Sequence, residues 1–480
     1  MRLQFTRTLV FAAAALAAAT PAAAQRQQAN RASDAINIPF ERYQLPNGLT
    51  VILAPDHSTP RVAVDVWYHV GSKNEVVGRT GFAHLFEHVM FTGSGHVPYG
   101  LHDRLTQGVG GDNNGSTSSD RTNYYENIPS NYLETSLWME ADRMGFLLDK
   151  LDSAKFAAQR DIVQNERRQG VDNQPYGRAG EILTVATYPA DNPYSWPIVG
   201  YLADLQAASL EDVKNFFRLY YAPTNATVAI VGDFEPAQAR AYVAKYFGGL
   251  PRGKAITRPT VQPPRITNEK RLVYEDRVQI PRLYMRWPTV GMKHGDDAAL
   301  SVLGEILTGS RTARLTRTLV YDKQVAAAVG AGQSSRELIG DFGISVTPRP
   351  GNTLTSIEAT IDSVIVRLKH EGPSAEEIQR ALAGLEFEFV SGLQSNLGKA
   401  EILLTGSVYF SDPAYYKKEY ASLKAVTAAD VKRVANTYLG QGRVVLSIVP
   451  QGKTDQASRP ESSTRVTVAP DGARYIMETK

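Results

Sequence analysis

The chain has 480 residues and 43% hydrophobic content, more than a single core usually organises, so two or more domains are expected. Its formal charge is +3, and removal of Arg2 and Arg7 with the export signal described next leaves 50 basic residues against 49 acidic, a balance with no electrostatic footprint for nucleic acid or an anionic membrane. With no cysteine, the sequence excludes disulfides, thiolate metal ligands and a cysteine nucleophile; any metal must be held by His and carboxylate.

Residues 1–24 read as a signal peptide, with Arg2 and Arg7 for positive charge, Leu9 to Ala19 as a short apolar run, and Ala22-Ala23-Ala24 as small residues for cleavage before Gln25. The apolar run is well short of the roughly 20 residues that span a bilayer, and no later segment is long enough, so a periplasmic or secreted protein free of the membrane after cleavage is expected. Residues 25–35 are polar and aperiodic, a flexible leader. From Ile36 the chain reads as ordered, and the Asn47-Gly48 step between two extended runs predicts a hairpin over Tyr43 to Leu53. Arg61 to Val70 continues as a strand. A helix follows from Thr80, available as N-cap, to Phe91, with Gly93 as its stop. Leu101 to Gln107 is a second helix, and after the glycine-rich turn Gly108 to Gly111, Ser116 to Ile128 reads as one Thr/Tyr-rich strand. Helices are expected at Tyr132 to Lys150, Ser153 to Gln169 and Leu210 to Tyr221, and a buried strand at Thr227 to Val231.

Residues 251–267, with Pro251, Pro259, Pro263 and Pro264, suit a linker. The expected division is therefore 36–250, linker 251–267, 268–452, and a polar tail 453–480. Beyond the linker the order of elements recurs: strands Arg271 to Tyr274 and Arg282 to Trp287, helices Asp297 to Thr308 and Thr312 to Tyr321, and a closing strand Val444 to Val449. Leu210-Glu211-Asp212-Val213-Lys214 before one strand is echoed by Ala429-Asp430-Val431-Lys432 before another, as in diverged copies of one unit.

The chemistry is concentrated in His84-Leu85-Phe86-Glu87-His88. Residues four apart share a helix face, so His84 and His88 can present two imidazoles to one ion. With 8 His in 480 positions, the pattern arises by chance on the order of 0.01 times in a chain this long. Zinc in peptidases takes three protein ligands and leaves a position for water, whose pKa it lowers, and Glu87 stands where it can take that water's proton and pass it to a leaving amine. His and carboxylate ligands also accept cobalt and manganese. Glu166, on a separate helix, is a candidate third ligand, although on its own a Glu in so charged a helix reads as a solvated residue.

The inverted His-x-x-Glu-His order within Gly81 to Phe91, together with Asn114-Gly115-Ser116-Thr117, Asp120 to Glu126 and Asn165-Glu166, resembles the inverzincins, specifically the pitrilysin/insulinase and mitochondrial processing peptidase family. The likeness spans about Ile36 to Gln451. It implies an α+β fold of two homologous α/β domains, each a mostly antiparallel sheet flanked by helices, forming a clamshell-like half chamber. It further implies one zinc ion (Zn2+) held by His84, His88 and Glu166, Glu87 as base, and hydrolysis of unfolded peptides bound as an added strand at Asn114, Gly115 and Thr117. Gly115 stands where that family usually has Ala. A noncatalytic scaffold subunit is the alternative, disfavoured because a scaffold has no need to retain all of His84, Glu87, His88 and Glu166.

Two departures stand out. Gln159 occupies the place, seven residues before Glu166, where relatives commonly have a second Glu, so no charge or proton comes from there. Val320 and Ala327 align with an Arg and Tyr that contact substrate and stabilise the oxyanion in one-chain relatives; nearby Arg317 and Tyr321 are spaced by four rather than seven. A missing oxyanion donor typically costs ~10² to 10³ in turnover. Because some relatives divide these groups between subunits, the expectation is a heterodimer with a homologous Arg/Tyr-bearing chain, a homodimer being the other possibility.

Overall fold

The structure, a computed structural model, describes residues 36–469 and 475–477; the expected signal peptide and leader lie outside the described residues. In the first half, strands β1 (Glu41–Gln44), β2 (Thr50–Pro55), β3 (Arg61–Tyr68), β4 (Asp112–Thr117), β5 (Thr122–Pro129) and β6 (Ala226–Gly232) form one sheet in the order β1-β2-β6-β3-β5-β4. The Asn-Gly hairpin is present as β1–β2: Gly48 takes φ +96°, and the Asn47 side chain donates to the carbonyls of Phe247 at 2.7 Å and Leu250 at 3.1 Å.

This half also holds helices α1 (Phe82–Val89), α2 (Leu101–Gly108), α3 (Leu133–Phe146), α4 (Ser153–Arg167), α5 (Ala179–Thr187), α6 (Leu202–Ala207), α7 (Leu210–Tyr220) and α8 (Pro236–Phe247). The second half contributes strands β7 (Lys270–Asp276), β8 (Arg282–Val290), β9 (Ala326–Ser335), β10 (Ile339–Pro348), β11 (Val444–Pro450), β12 (Thr464–Val468) and β13 (Tyr475–Met477), in the order β13-β12-β7-β11-β8-β10-β9. Its helices are α9 (Asp297–Thr308), α10 (Leu354–Glu371), α11 (Ala375–Gly392), α12 (Asn396–Phe410), α13 (Tyr415–Lys424) and α14 (Ala428–Tyr438).

The duplication read from echoed phrases is a matched topology. Without the outer strands β1, β12 and β13, the orders β2-β6-β3-β5-β4 and β7-β11-β8-β10-β9 superpose, each with one parallel pair (β2 with β6, β7 with β11) followed by antiparallel ones.

Each sheet is covered on both faces, and one cover comes from the other half. Along β3, Val62, Val64, Val66 and Tyr68 face the core made with α1, α3, α7 and α8, whereas Trp67 faces the opposite way, among Ala400, Leu403, Leu404 and Tyr409 of α12. That two-sided burial is why the strand reads as a nearly continuous apolar run. Reciprocally, Ile182, Leu183 and Ala186 of α5 pack on Leu272, Val444, Leu446 and Ile448 of the second sheet. Burying one such Leu or Ile contributes about 1.5–3 kcal/mol, so both exchanges hold the halves together.

Several expectations are corrected. The single strand Ser116 to Ile128 is a hairpin, β4 and β5 joined by the turn Ser118–Arg121, with Ser118 N–H donating to Arg121 O at 2.8 Å. The helix expected over Thr312 to Tyr321 is a π-helical turn, Thr316–Asp322. The polar tail 453–480 contains two strands: β12 pairs in parallel with β7, and β13 pairs with β12. The linker residues 251–267 carry no helix or strand, but Arg258 fastens them to the first half through Asn225 Oδ1 at 2.5 Å. No described helix is long and apolar enough to cross a membrane.

Candidate metal centre

Helix α1 bears the His-x-x-Glu-His run, and its start is built by neighbours rather than by Thr80. The N-cap is Gly81 at φ +85°, a left-handed conformation that glycine adopts without penalty, and a Cβ there would fall 2.8 Å from Gly200 Cα. Thr80, expected as the cap, instead donates its hydroxyl to Asp204 at 2.7 Å. The orphan N–H groups of the first turn donate to Glu75: Gly81 N–H at 2.9 Å and Ala83 N–H at 2.8 Å. Burial pushes the Glu75 carboxyl well above its usual range against those bonds. Replacing Glu75 by Ala leaves two buried donors unpaired, an expected loss of about 2 kcal/mol, visible as a lower urea midpoint and weaker metal binding by α1.

The three expected ligands converge. His84 Nε2 and His88 Nε2 lie 3.7 Å and 3.2 Å from Glu166 Oε2. A tetrahedral zinc with donors ~2.1 Å away would separate them by about 3.4 Å, so the donor set matches such an ion in both spacing and chemistry. Among the described residues, His84, His88 and Glu166 can each offer one ligand atom with all three within 4.8 Å of one another. Burial, reinforced by neighbouring His88, holds His84 down to about 4, which keeps its imidazole neutral and its lone pair available at neutral pH. Glu166 is half-exposed on the last turn of α4. The next residue anchors that turn: Arg167, 1% exposed, donates to Glu181 at 2.6 Å and 3.0 Å and to Gly200 O at 2.8 Å.

Glu87 points toward the edge strand β4. Thr117 Oγ1 donates to Glu87 Oε2 at 2.6 Å, so this residue, expected to touch substrate, holds the carboxylate of the expected base. Burial pushes the Glu87 carboxyl up, with the Thr117 bond and then His88 opposing. Gly115 packs against the same side chain: a Cβ there would lie 3.1 Å from Glu87 Cγ, so glycine in place of the family's usual Ala leaves the base more room. Asn114 is exposed on β4, with its Oδ1 accepting from Gly115 N–H at 2.8 Å. Among the described residues β4 pairs only with β5, leaving its outer edge available for an extended peptide.

Gln159 is buried on α4. Val320 packs on the second core, Ala327 is exposed at the start of β9, and Arg317 pairs with Asp322 at 3.4 Å. A second group, His102, Glu126 and Glu140, has metal-like spacing but is fully buried with Arg143 among its carboxylates, which supply that guanidinium's counter-charge. The roles of Thr117, Glu75 and Arg167 were missed by sequence reasoning, because each depends on contacts between segments far apart in the chain.

Comparison with known proteins fits this geometry. The sequence model of Insulinase (Peptidase family M16) matches residues 50–195, which hold His84, Glu87, His88 and Glu166, and that of the Peptidase M16 inactive domain matches 207–385, a stretch that runs from the end of the first half into the second and contains none of these four residues. Zinc protease PqqE of Helicobacter pylori is 30% identical over 83% of this chain and 90% of its own length. A probable mitochondrial-processing peptidase subunit beta of Arabidopsis thaliana is 22% identical over 84% of this chain and 77% of its own. The crystal structure of a protease from Helicobacter pylori superposes with a TM-score of 0.81 at 28% identity, covering 86% of this chain and all of the other. With an inverted His-x-x-Glu-His helix, a Glu from a following helix and duplicated sheets, the chain belongs to the insulinase family of peptidases, peptidase family M16.

Proposed function

We propose that the chain is the zinc-bearing subunit of an exported metalloendopeptidase that hydrolyses unfolded peptides. The observation that carries this is the meeting of His84, His88 and Glu166 at ligand spacing, beside a Glu87 carboxylate already oriented by Thr117. A zinc ion there would supply the Lewis acidity that makes water a nucleophile at neutral pH. The chain's own groups do the rest. The edge of β4 takes the substrate backbone as an added strand, and Asn114 is placed beside it. Glu87 accepts the proton of the attacking water and returns it to the leaving amine nitrogen, with no covalent intermediate.

Val320 and Ala327, standing where relatives carry Arg and Tyr, support the further reading that a homologous partner completes the oxyanion site. Signal-like residues 1–24 support a periplasmic or secreted location. The deciding experiment measures metal content and cleavage of a quenched fluorescent peptide by the purified chain, alone and with the product of a neighbouring homologous gene. The expected result is about one zinc per chain and a rise in turnover of ~10² or more on adding the partner. Full activity of the zinc-loaded chain alone would remove the partner requirement; absence of bound metal would remove the enzyme.

A further inference from the structure

The second half carries none of the ligand set, yet its β9–β10 turn, Arg336-Glu337-Leu338, reaches the hairpin that holds Glu87. The contact is ionic and buried. Lys73, 2% exposed, stands in the short turn Ser72–Asn74, and its Nζ donates to Asp120 Oδ1 at 2.9 Å and to Glu337 Oε2. Asp120, 4% exposed, lies in the β4–β5 turn and accepts from Tyr194 OH at 2.5 Å and from the backbone N–H of Glu337 at 3.0 Å. Glu337 is also 2.7 Å from His69 Nε2 and accepts from Lys293 at 3.2 Å, while Leu338 N–H donates to Tyr194 OH at 3.3 Å.

Backbone bonds tighten the same junction. Ser72 and Lys73 N–H donate to Ser118 O at 3.2 Å and Ser119 O at 3.0 Å, an approach open only because Gly71 lacks a Cβ, which would fall 2.4 Å from Ser118 O. Burial works against the charge on Glu337, but the hydrogen bond with His69 and the charge of Lys73 outweigh it and hold the carboxyl well below the usual range. Three residues before Asp120, Thr117 donates to Glu87. One four-residue turn thus connects Glu337 in the second half to the base in the first.

We infer that Glu337 is a positioning residue: by clamping Lys73 and Asp120 it fixes the β4–β5 turn and, through Thr117, the Glu87 carboxylate, so the half without metal ligands sets the turnover of the half that has them. The inference rests on the peptidase reading above. Its test is a double-mutant cycle in peptide hydrolysis by the zinc-loaded full chain, with the homologous partner present if turnover requires it. Glu337→Gln keeps the shape and removes the charge, and is expected to lower kcat about 10-fold with zinc content and KM unchanged. In a Thr117→Val background the same substitution is expected to change kcat less than about 2-fold, because the linkage is already cut. An unchanged kcat in Glu337→Gln, or an undiminished fall in the Thr117→Val background, overturns the inference. Should the Gln variant not fold, Glu337→Asp keeps the charge, withdraws it by one methylene and reads the same cycle with a smaller fall. If the unsubstituted chain hydrolyses nothing, alone or with its partner, the peptidase reading fails by itself. Hydrogen exchange at the amides of 118–121 then decides the clamp: faster in Glu337→Gln supports it, and unchanged overturns it.

Discussion

Replacing Glu87 by Gln is expected to leave bound zinc and KM as they are while kcat falls by ~10² to 10⁴, the range over which a positioned general base contributes. Gln has nearly the same shape, and its carbonyl oxygen can still accept the Thr117 hydroxyl that now reaches Glu87 at 2.6 Å, so the edge strand and the ligands on either side have no reason to move. What the amide lacks is the ability to take a proton at neutral pH. Metal content by elemental analysis and peptide turnover on the same sample check the prediction; a variant that cleaves as fast as the parent would show that the proton goes elsewhere.

The largest expected stability effect lies elsewhere in the first half. Arg143, fully buried, donates Nε to Glu140 at 2.9 Å, approaches Glu126 at 3.7 Å, and stacks over Tyr124 at 4.5 Å and Phe91 at 5.2 Å. Burial raises the carboxyls of both Glu126 and Glu140, and the guanidinium is the main group opposing it. Arg143→Met removes the counter-charge and is expected to cost about 3–5 kcal/mol, a large share of a domain's net stability. The sign of its pH dependence follows. A carboxyl whose folded pKa is raised above its unfolded value costs stability as pH rises between the two values and nothing below the unfolded one. The deficit should therefore be larger at pH 8 than at pH 5 in urea titrations of variant and parent; equal deficits at the two pH values would mean that these carboxyls are not the cause.

The helix that carries the chemistry was legible because its signal is local: His84 and His88 are one turn apart, and their shared face follows from helical geometry alone. Glu166 was reached only through family resemblance, since nothing in its charged surroundings marks it as a ligand until α1 and α4 are seen side by side. The β4–β5 turn was hidden because Ser118-Ser119-Asp120-Arg121 is no more polar than the strand Asp112–Thr117 before it, so composition offered no boundary. β9 was missed for the opposite reason. Its residues, Ala-Ala-Ala-Val-Gly-Ala-Gly-Gln-Ser-Ser, have low strand propensity and are extended because β10 pairs with them along nearly their whole length. Thr464–Val468 passed for part of a polar tail because its strand is formed by pairing with β7, far back in the chain, and with β13. The base-holding role of Thr117 depends on register between segments 30 residues apart, which no local pattern encodes.

The exchange of α5 and α12 between the two sheets bears on how the molecule is made. As the chain emerges from the ribosome, the first sheet can form from residues 41–232, but its second face stays bare until Asn396–Phe410 arrives, while α5 must wait for Val444–Pro450 before it has a surface to cover. Closure of the first half thus depends on a segment more than 150 residues downstream, and closure of the second on one made long before it, a high-contact-order arrangement that folds slowly and leaves apolar sheet exposed in the interval. An early-stopped chain is an aggregation hazard, and the half that holds His84, His88 and Glu166 gains its full covering only when synthesis is nearly complete.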